Sequence, residues 1–167
     1  ASRLWRRMPE DAEVRLVLTS ANAGGMLGAQ HYWQQHKEDF KYREVYVVNI
    51  DAVGAANLGF VAETGALTPV VYDSILTRVA RNLVVQNEQF TALKPKKHHF
   101  GDFDSIWFHR GQVAALTIAS YDAKGFMPHV QTMADTAEHV DLQQVAMASQ
   151  FAEAIVRLVP QPRQIVP

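Results

Sequence analysis

REVYVVNIDAVG, residues 43–54, sets the fold class of this sequence. Val45, Tyr46, Val47 and Val48 form a continuous run of β-branched and aromatic residues, which predicts a strand from Arg43 to Ile50. Asp51 follows at once. In a sheet covered by helices, groups that bind ligands gather at the carboxyl ends of strands, so Asp51 stands where chemistry is expected.

Outward from this strand, helices and strands alternate. On the amino-terminal side, Gly24 and Gly25 make a tight turn into a helix from Met26 to Lys37, with Leu27, Tyr32 and Trp33 as its apolar residues. Before it, EVRLVLTS (Glu13 to Ser20) has the apolar pattern of a strand covered on both faces. Leu4, Trp5 and Met8 have the spacing of the end of an amphipathic helix closed by Pro9, as if the chain begins partway into a larger domain. On the carboxyl-terminal side a shorter strand is expected from Leu58 to Glu63. A helix is expected from Pro69 to Val85, with Val71, Ile75, Val79 and Leu83 on one face. Lys94 to His99 reads as a basic, solvated loop, Asp102 to His109 as a short helix ending at Gly111, and Val113 to Ala119 as a buried strand. Asp141 caps a last helix that turns Leu142, Val145, Ser149, Ala152, Ile155, Val156 and Val159 inward. The pattern is that of an α/β fold in three layers, a mixed, mostly parallel central sheet flanked by helices. Residues 1–159 form one domain and residues 160–167 a Pro-rich tail.

Composition excludes several functions. The 167 residues are 48% hydrophobic and 20% charged, with a formal net charge of −1, so no basic excess points to nucleic acid. There is no cysteine, which removes disulfides, thiolate zinc sites, thiol nucleophiles and iron–sulfur ligation. No apolar run approaches the roughly 18 residues of a membrane span.

Four segments, taken in order, resemble the zinc-dependent aminopeptidase family, which is related to glutaminyl cyclases and to the protease-like domains of glutamate carboxypeptidase and transferrin receptor. They are LVLTSANAGGMLGAQHY (16–32), VVNIDAVG (47–54), GDFDSIWFHRGQVAA (101–115) and VQTMADTAEHVD (130–141). The resemblance implies a zinc-exopeptidase-like fold, an extracytoplasmic setting and a site in which carboxylates and imidazoles hold two zinc ions while a Glu acts as general base. Asp51 matches a metal-ligand Asp, and Asp102 and Asp135 match residues that support the site. The departures carry more weight. Asn22 and Ala23 stand where the family has a Glu pair, and Gln131 stands where it has its last ligand His. Neither Asn22 nor Ala23 can take a proton from water, and a neutral amide is a poor zinc ligand. His129, two residues before Gln131, is a candidate displaced ligand beside Asp51. The resemblance therefore implies a catalytically degenerate domain, with zinc absent or weakly held, kept for binding a protein or peptide or for assembly. The alternative is an active aminopeptidase whose other ligands lie in a preceding segment.

The remaining candidates have plainer readings. Ser105, His129 and Asp135 supply the residue types of a nucleophilic triad, but Ser105 lacks the glycine-flanked elbow that exposes such a serine. His98 and His99 are expected to point to opposite sides of a solvated loop. The aromatic residues Trp5, Trp33 and Trp107 are expected in the core.

Overall fold

The computed structural model describes residues 12–64, 70–72, 74–99 and 101–159. Its five strands are β1 (Tyr46–Ile50), β2 (Asn57–Thr64), β3 (Val70–Val71), β4 (Lys94–His98) and β5 (Ala114–Tyr121). They form a mixed sheet in which β1, β5, β2 and β3 are neighbours in that order and β4 pairs with β2. β1 runs parallel to β5, with Tyr46 opposite Ala114 and Ile50 opposite Ile118. β2 is antiparallel to β5, Asn57 facing Tyr121, and parallel to β4. This is the expected three-layer α/β architecture.

Side chains alternate along each strand, so the sheet divides its residues between two helix layers. On the first face Leu58, Phe60, Leu116 and Ile118 pack against α2 (Ile75–Gln86) and α4 (Leu142–Leu158) through Leu76, Ala80, Leu83, Ala148, Phe151 and Ile155. Both helices begin at side-chain caps: Ser74 accepts from the Thr77 amide at 3.4 Å, and Asp141 accepts from the Gln143 amide at 2.8 Å. On the second face Val61, Ala119 and Tyr121 meet Tyr72, Phe103 and Ile106, the last from α3 (Ser105–Arg110). α1 (Leu27–Phe40) joins this layer through aromatic rings, with Trp33 5.7 Å and Phe40 6.2 Å from Phe108. Gly111, just past α3, makes the approach possible: a Cβ there would lie 2.0 Å from the Trp33 ring.

Several elements depart from expectation. Glu13 to Ser20 is extended but belongs to no strand, and Leu16 and Leu18 are 75% and 88% exposed. Glu13 is held by Arg43 at 3.0 Å and Thr19 by Asp104 at 2.5 Å, so the segment spans from the chain before β1 to the front of α3. An apolar run shows that a segment suits a sheet; it does not supply the partner strand and two covering layers. Lys94 to His98 is a strand where a loop is expected, because backbone pairing with β2 does not depend on apolar side chains. Pro95 and its neighbours Lys94, Lys96, Lys97 and His98 suit an edge position. α2 starts at Ile75, and Val70–Val71 upstream form β3. α4 buries Ala148, Phe151 and Ile155, leaving Leu142 75% exposed and Ser149 in solvent. Its buried stripe is thus rotated from the one expected. The expected helix end at Leu4, Trp5 and Met8, the Pro69 start and the 160–167 tail lie outside the described residues.

Candidate functional site

The site is built on the second face, where β1 and β5 end together. Asn49 and Asp51 share one side of their strand. Asn49 donates to the Thr117 hydroxyl at 3.3 Å, and Thr117 is 2.7 Å from the Ser105 hydroxyl at the start of α3. These contacts seat α3 on the sheet and carry Asp104 toward Asp51. Asp104 is 7% exposed and accepts from the Thr19 hydroxyl at 2.5 Å and from the Asn22 carboxamide at 3.2 Å. Burial, and then the neighbouring Asp104 carboxylate, hold the Asp51 carboxyl above the usual carboxylate range. Tyr121 is fully buried. Its hydroxyl is pushed well above the ordinary phenol value by burial and by the charge of Asp51, and it lies 3.4 Å from His98 Nδ1. The Lys96 ammonium stands 5.9 Å from the centre of the Tyr121 ring.

The backbone around these residues is strained. Among the described residues, positive φ occurs at six non-glycine positions: Ala21, Met26, Ala52, Gln112, His129 and Gln131. Five of them flank positions that the sequence singles out: Ala21 and Met26 bracket Asn22 and Ala23, Ala52 follows Asp51, and His129 and Gln131 are themselves candidates. Such conformations each cost about 1–3 kcal/mol for a side-chain-bearing residue and persist where surroundings fix them. The fixing is visible at Ala52. Its carbonyl accepts from the Ser120 amide at 3.3 Å, and the buried Ser120 hydroxyl accepts from the Gly54 amide at 3.0 Å.

The sequence candidates divide. Asp51 and Asn22 lie in this cluster, and Ala23 sits exposed in the short turn Asn22–Gly24 beside it. Asp102 pairs with Arg110 at 3.3 Å. Asp135 and Gln131 are exposed on the loop before α4, and the His129 ring lies on the His139 ring at 4.6 Å. Ser105 is 1% exposed with its hydroxyl on Thr117, a packing position and not a nucleophile's. His98, expected in solvent, instead packs 4.5 Å from Phe103. Sequence reasoning missed Asp104, Thr19 and Tyr121. Asp104 alone left a signal, an acidic residue set among Phe103, Ser105 and Ile106, all of which are buried.

Zinc held in a protein needs about three or four imidazole, thiolate or carboxylate ligands. Among the described residues no three His, Cys, Asp or Glu side chains are placed to hold a metal ion. Asp51 and Asp104 offer carboxylates, but beside them Asn22 offers only a carboxamide, Thr19 a hydroxyl and Ala23 a methyl. This donor set does not fit zinc.

The sequence model of peptidase family M28 matches residues 2–156. No curated protein is similar enough in sequence to match. Among solved structures the chain is similar to the zinc aminopeptidase BSAP of Bacillus subtilis, at 21% identity and a TM-score of 0.60 over 78% of this chain and 32% of that one. It is similar also to an aminopeptidase of Aneurinibacillus sp. strain AM-1, at 18% identity and a TM-score of 0.64 over 89% and 34%. The LapA aminopeptidase of Legionella pneumophila matches at 17% identity and a TM-score of 0.67 over 87% and 39%. The chain thus spans about a third of the length of each.

Proposed function

This chain belongs to peptidase family M28, and from that premise we propose that it is a catalytically degenerate member, used to bind a protein or peptide or to build an assembly. One observation carries the reading. At the turn where an active site of this family is expected to have its Glu pair, Asn22 closes over Asp104 with its carboxamide at 3.2 Å while Ala23 presents a methyl group. A carboxamide cannot serve as general base, and by donating to Asp104 it occupies one oxygen of a carboxylate that would otherwise face the site. The second oxygen is taken by Thr19. The turn is therefore organised to satisfy Asp104 internally rather than to hold a reactive water.

The strained backbone at Ala21 and Ala52 fits this reading, since the turns beside Asn22 and Asp51 keep a demanding geometry where the family's ligands are replaced. Polar groups held in this arrangement can still contact a chain terminus or a loop of a partner.

The test is zinc content and hydrolysis together. Purified protein, dialysed against metal-free buffer, is expected to retain no zinc at Asp51 and to leave aminoacyl anilides uncleaved with zinc restored. Tightly retained zinc together with aminoacyl hydrolysis that Asp51→Ala abolishes would overturn the proposal in favour of an active metallopeptidase.

A further inference from the structure

Residues 13–19 form a strip of backbone that the fold leaves unpaired. Among the described residues, none of them makes a hydrogen bond to another backbone group, and β1, the outermost strand of the sheet, has β5 alone as its neighbour. A row of unpaired N–H and C=O groups is a template onto which another extended chain can add.

The strip is nonetheless held in place. Glu13 accepts from Arg43 at 3.0 Å, Arg15 is held by Tyr32 of α1, and the Thr19 hydroxyl donates to Asp104 at 2.5 Å. These anchors fall on odd-numbered positions, and alternate residues of an extended chain face one way. Val17, of the same parity, is 40% exposed, whereas Leu16 and Leu18 are 75% and 88% exposed. The odd-numbered side chains thus fasten the strip while the two leucines stand outward. A segment ordered in advance loses less freedom on binding than a loose one.

Size, backbone and charge identify the occupant. A stable dimer takes about 20–30 residues a side, far more than residues 13–19 supply. A single added strand matches the strip, its backbone meeting the free N–H and C=O groups and its alternate apolar side chains meeting Leu16 and Leu18. At the Thr19 end the strip leads to Asp104 and Asp51, which lie close enough for the charge of one to act on the other. Among the described residues no Lys, Arg or His forms an ion pair with either carboxylate. A basic side chain at that end of an added strand complements them.

We infer that residues 13–19 are a strand-addition site for a partner polypeptide, an extended segment with apolar residues at alternate positions and a Lys or Arg at the end beside Thr19. The added strand runs antiparallel, the more stable arrangement per residue, so its basic residue lies at its amino end. The inference rests on the binding role proposed above, to which it gives a class of partner.

The probe is an acetylated and amidated peptide matched in length to residues 13–19, with Lys first and Val and Thr alternating after it. Hydrogen exchange of the full chain is followed by mass spectrometry with and without the peptide, and affinity by fluorescence anisotropy of a labelled copy. Exchange at residues 13–19 is expected to slow, while α2 and α4 stay as they are. Leu16→Lys with Leu18→Lys should weaken binding at least about tenfold, the effect of leaving one leucine unburied, with circular dichroism checking that the fold persists. Methylating the peptide amides that face the strip should abolish binding, and replacing the peptide's Lys by Glu should weaken it about threefold or more. Binding that survives the methylation, the leucine changes or the Glu replacement would overturn the inference, as would exchange at residues 13–19 that the peptide does not slow. Protection of these residues in the free chain would overturn it too. If independent of protein concentration, that protection would mean pairing within the chain, and if it grew with concentration, a second copy on the strip. Zinc retention and aminoacyl hydrolysis, which decide the degenerate reading, do not enter this experiment, so a peptide that fails to bind leaves that reading standing.

Discussion

The two faces of the sheet are made from the same strands and have opposite characters. On the first, α2 and α4 close over Phe60, Leu116 and Ile118 with Phe151 and Ile155, each of them fully buried. On the second, α1 meets α3 through the half-buried rings of Trp33 and Phe40, with Ala29 its fully buried residue, and Asp51, Asp104, Tyr121 and Ser105 lie in or beside the packing. Among the described residues, buried side-chain polar atoms without a hydrogen bond belong to this second layer. They include Trp107 Nε1 and His36 Nδ1, the last 3.5 Å from Asp39 without hydrogen-bond geometry. Each such atom costs about 1–3 kcal/mol. The first face secures the fold, and the second carries polar groups and strain that a purely structural layer would shed.

If that division is right, the largest effect belongs to Phe151→Ala. Phe151 is 0% exposed and its ring meets Phe60 at 6.1 Å and Phe90 at 5.1 Å. Its truncation is expected to lower unfolding free energy by about 3–5 kcal/mol in urea titrations. A loss below about 1 kcal/mol would show that α4 is not what holds the sheet.

The corresponding change on the second face is Gly111→Ala. Its backbone is ordinary, with φ −83°, so the only penalty is the collision with Trp33. We expect a smaller loss of about 1–3 kcal/mol, with altered tryptophan emission as the α1 ring cluster shifts. Unchanged emission and stability would mean that α1 already moves freely on α3.

The same contrast explains how much was legible in the sequence. β1, β2, β5, α1, α3 and α4 follow from apolar runs, helical spacing and the Asp141 cap, because burial imposes a pattern on the residues it covers. β4 was hidden, since Lys94, Lys96 and Lys97 reach solvent or partners such as Glu63 while only the backbone pairs. At the site, Asp51 was legible from its place after β1. The pairing of Asp104 with Thr19 was not, because it spans 85 positions and depends on how α3 docks, which no local spacing encodes; only the acidic residue amid an apolar helix start hinted at Asp104.

Asp51→Asn probes the cost of the polar face with the opposite sign. A folded-state carboxyl held above its unfolded value means that the native state keeps its proton more tightly. Its contribution favours folding below the unfolded value, near about pH 3.9, and is lost as pH rises through the folded value. At pH 7 the ionised Asp51 beside Asp104 is therefore a liability. The asparagine variant should be more stable there, by less than about 1 kcal/mol once solvent screening is allowed for. It should also flatten the decline in stability above about pH 4. A variant less stable than wild type at pH 7 would show that Asp51 holds the fold rather than being tolerated by it.

The smallest effect is expected where the sequence pattern was most misleading. EVRLVLTS has the composition of a covered strand, and were it one, placing lysines at Leu16 and Leu18 would bury two charges and cost several kcal/mol, enough to unfold a marginal domain. Their side chains instead stand 75% and 88% exposed on a segment held by Arg43 at Glu13, by Tyr32 at Arg15 and by Asp104 at Thr19, none of which covers the two leucines. Leu16→Lys with Leu18→Lys should therefore change unfolding free energy by no more than about 0.5 kcal/mol. Urea denaturation at matched protein concentration measures it. A large loss would mean that these leucines are covered in solution, and its dependence on protein concentration would then say whether a second copy supplies the cover. A null result would leave the second face open along its outer margin, which is the condition under which a partner can reach Thr19, Asn22 and the carboxylates beneath them.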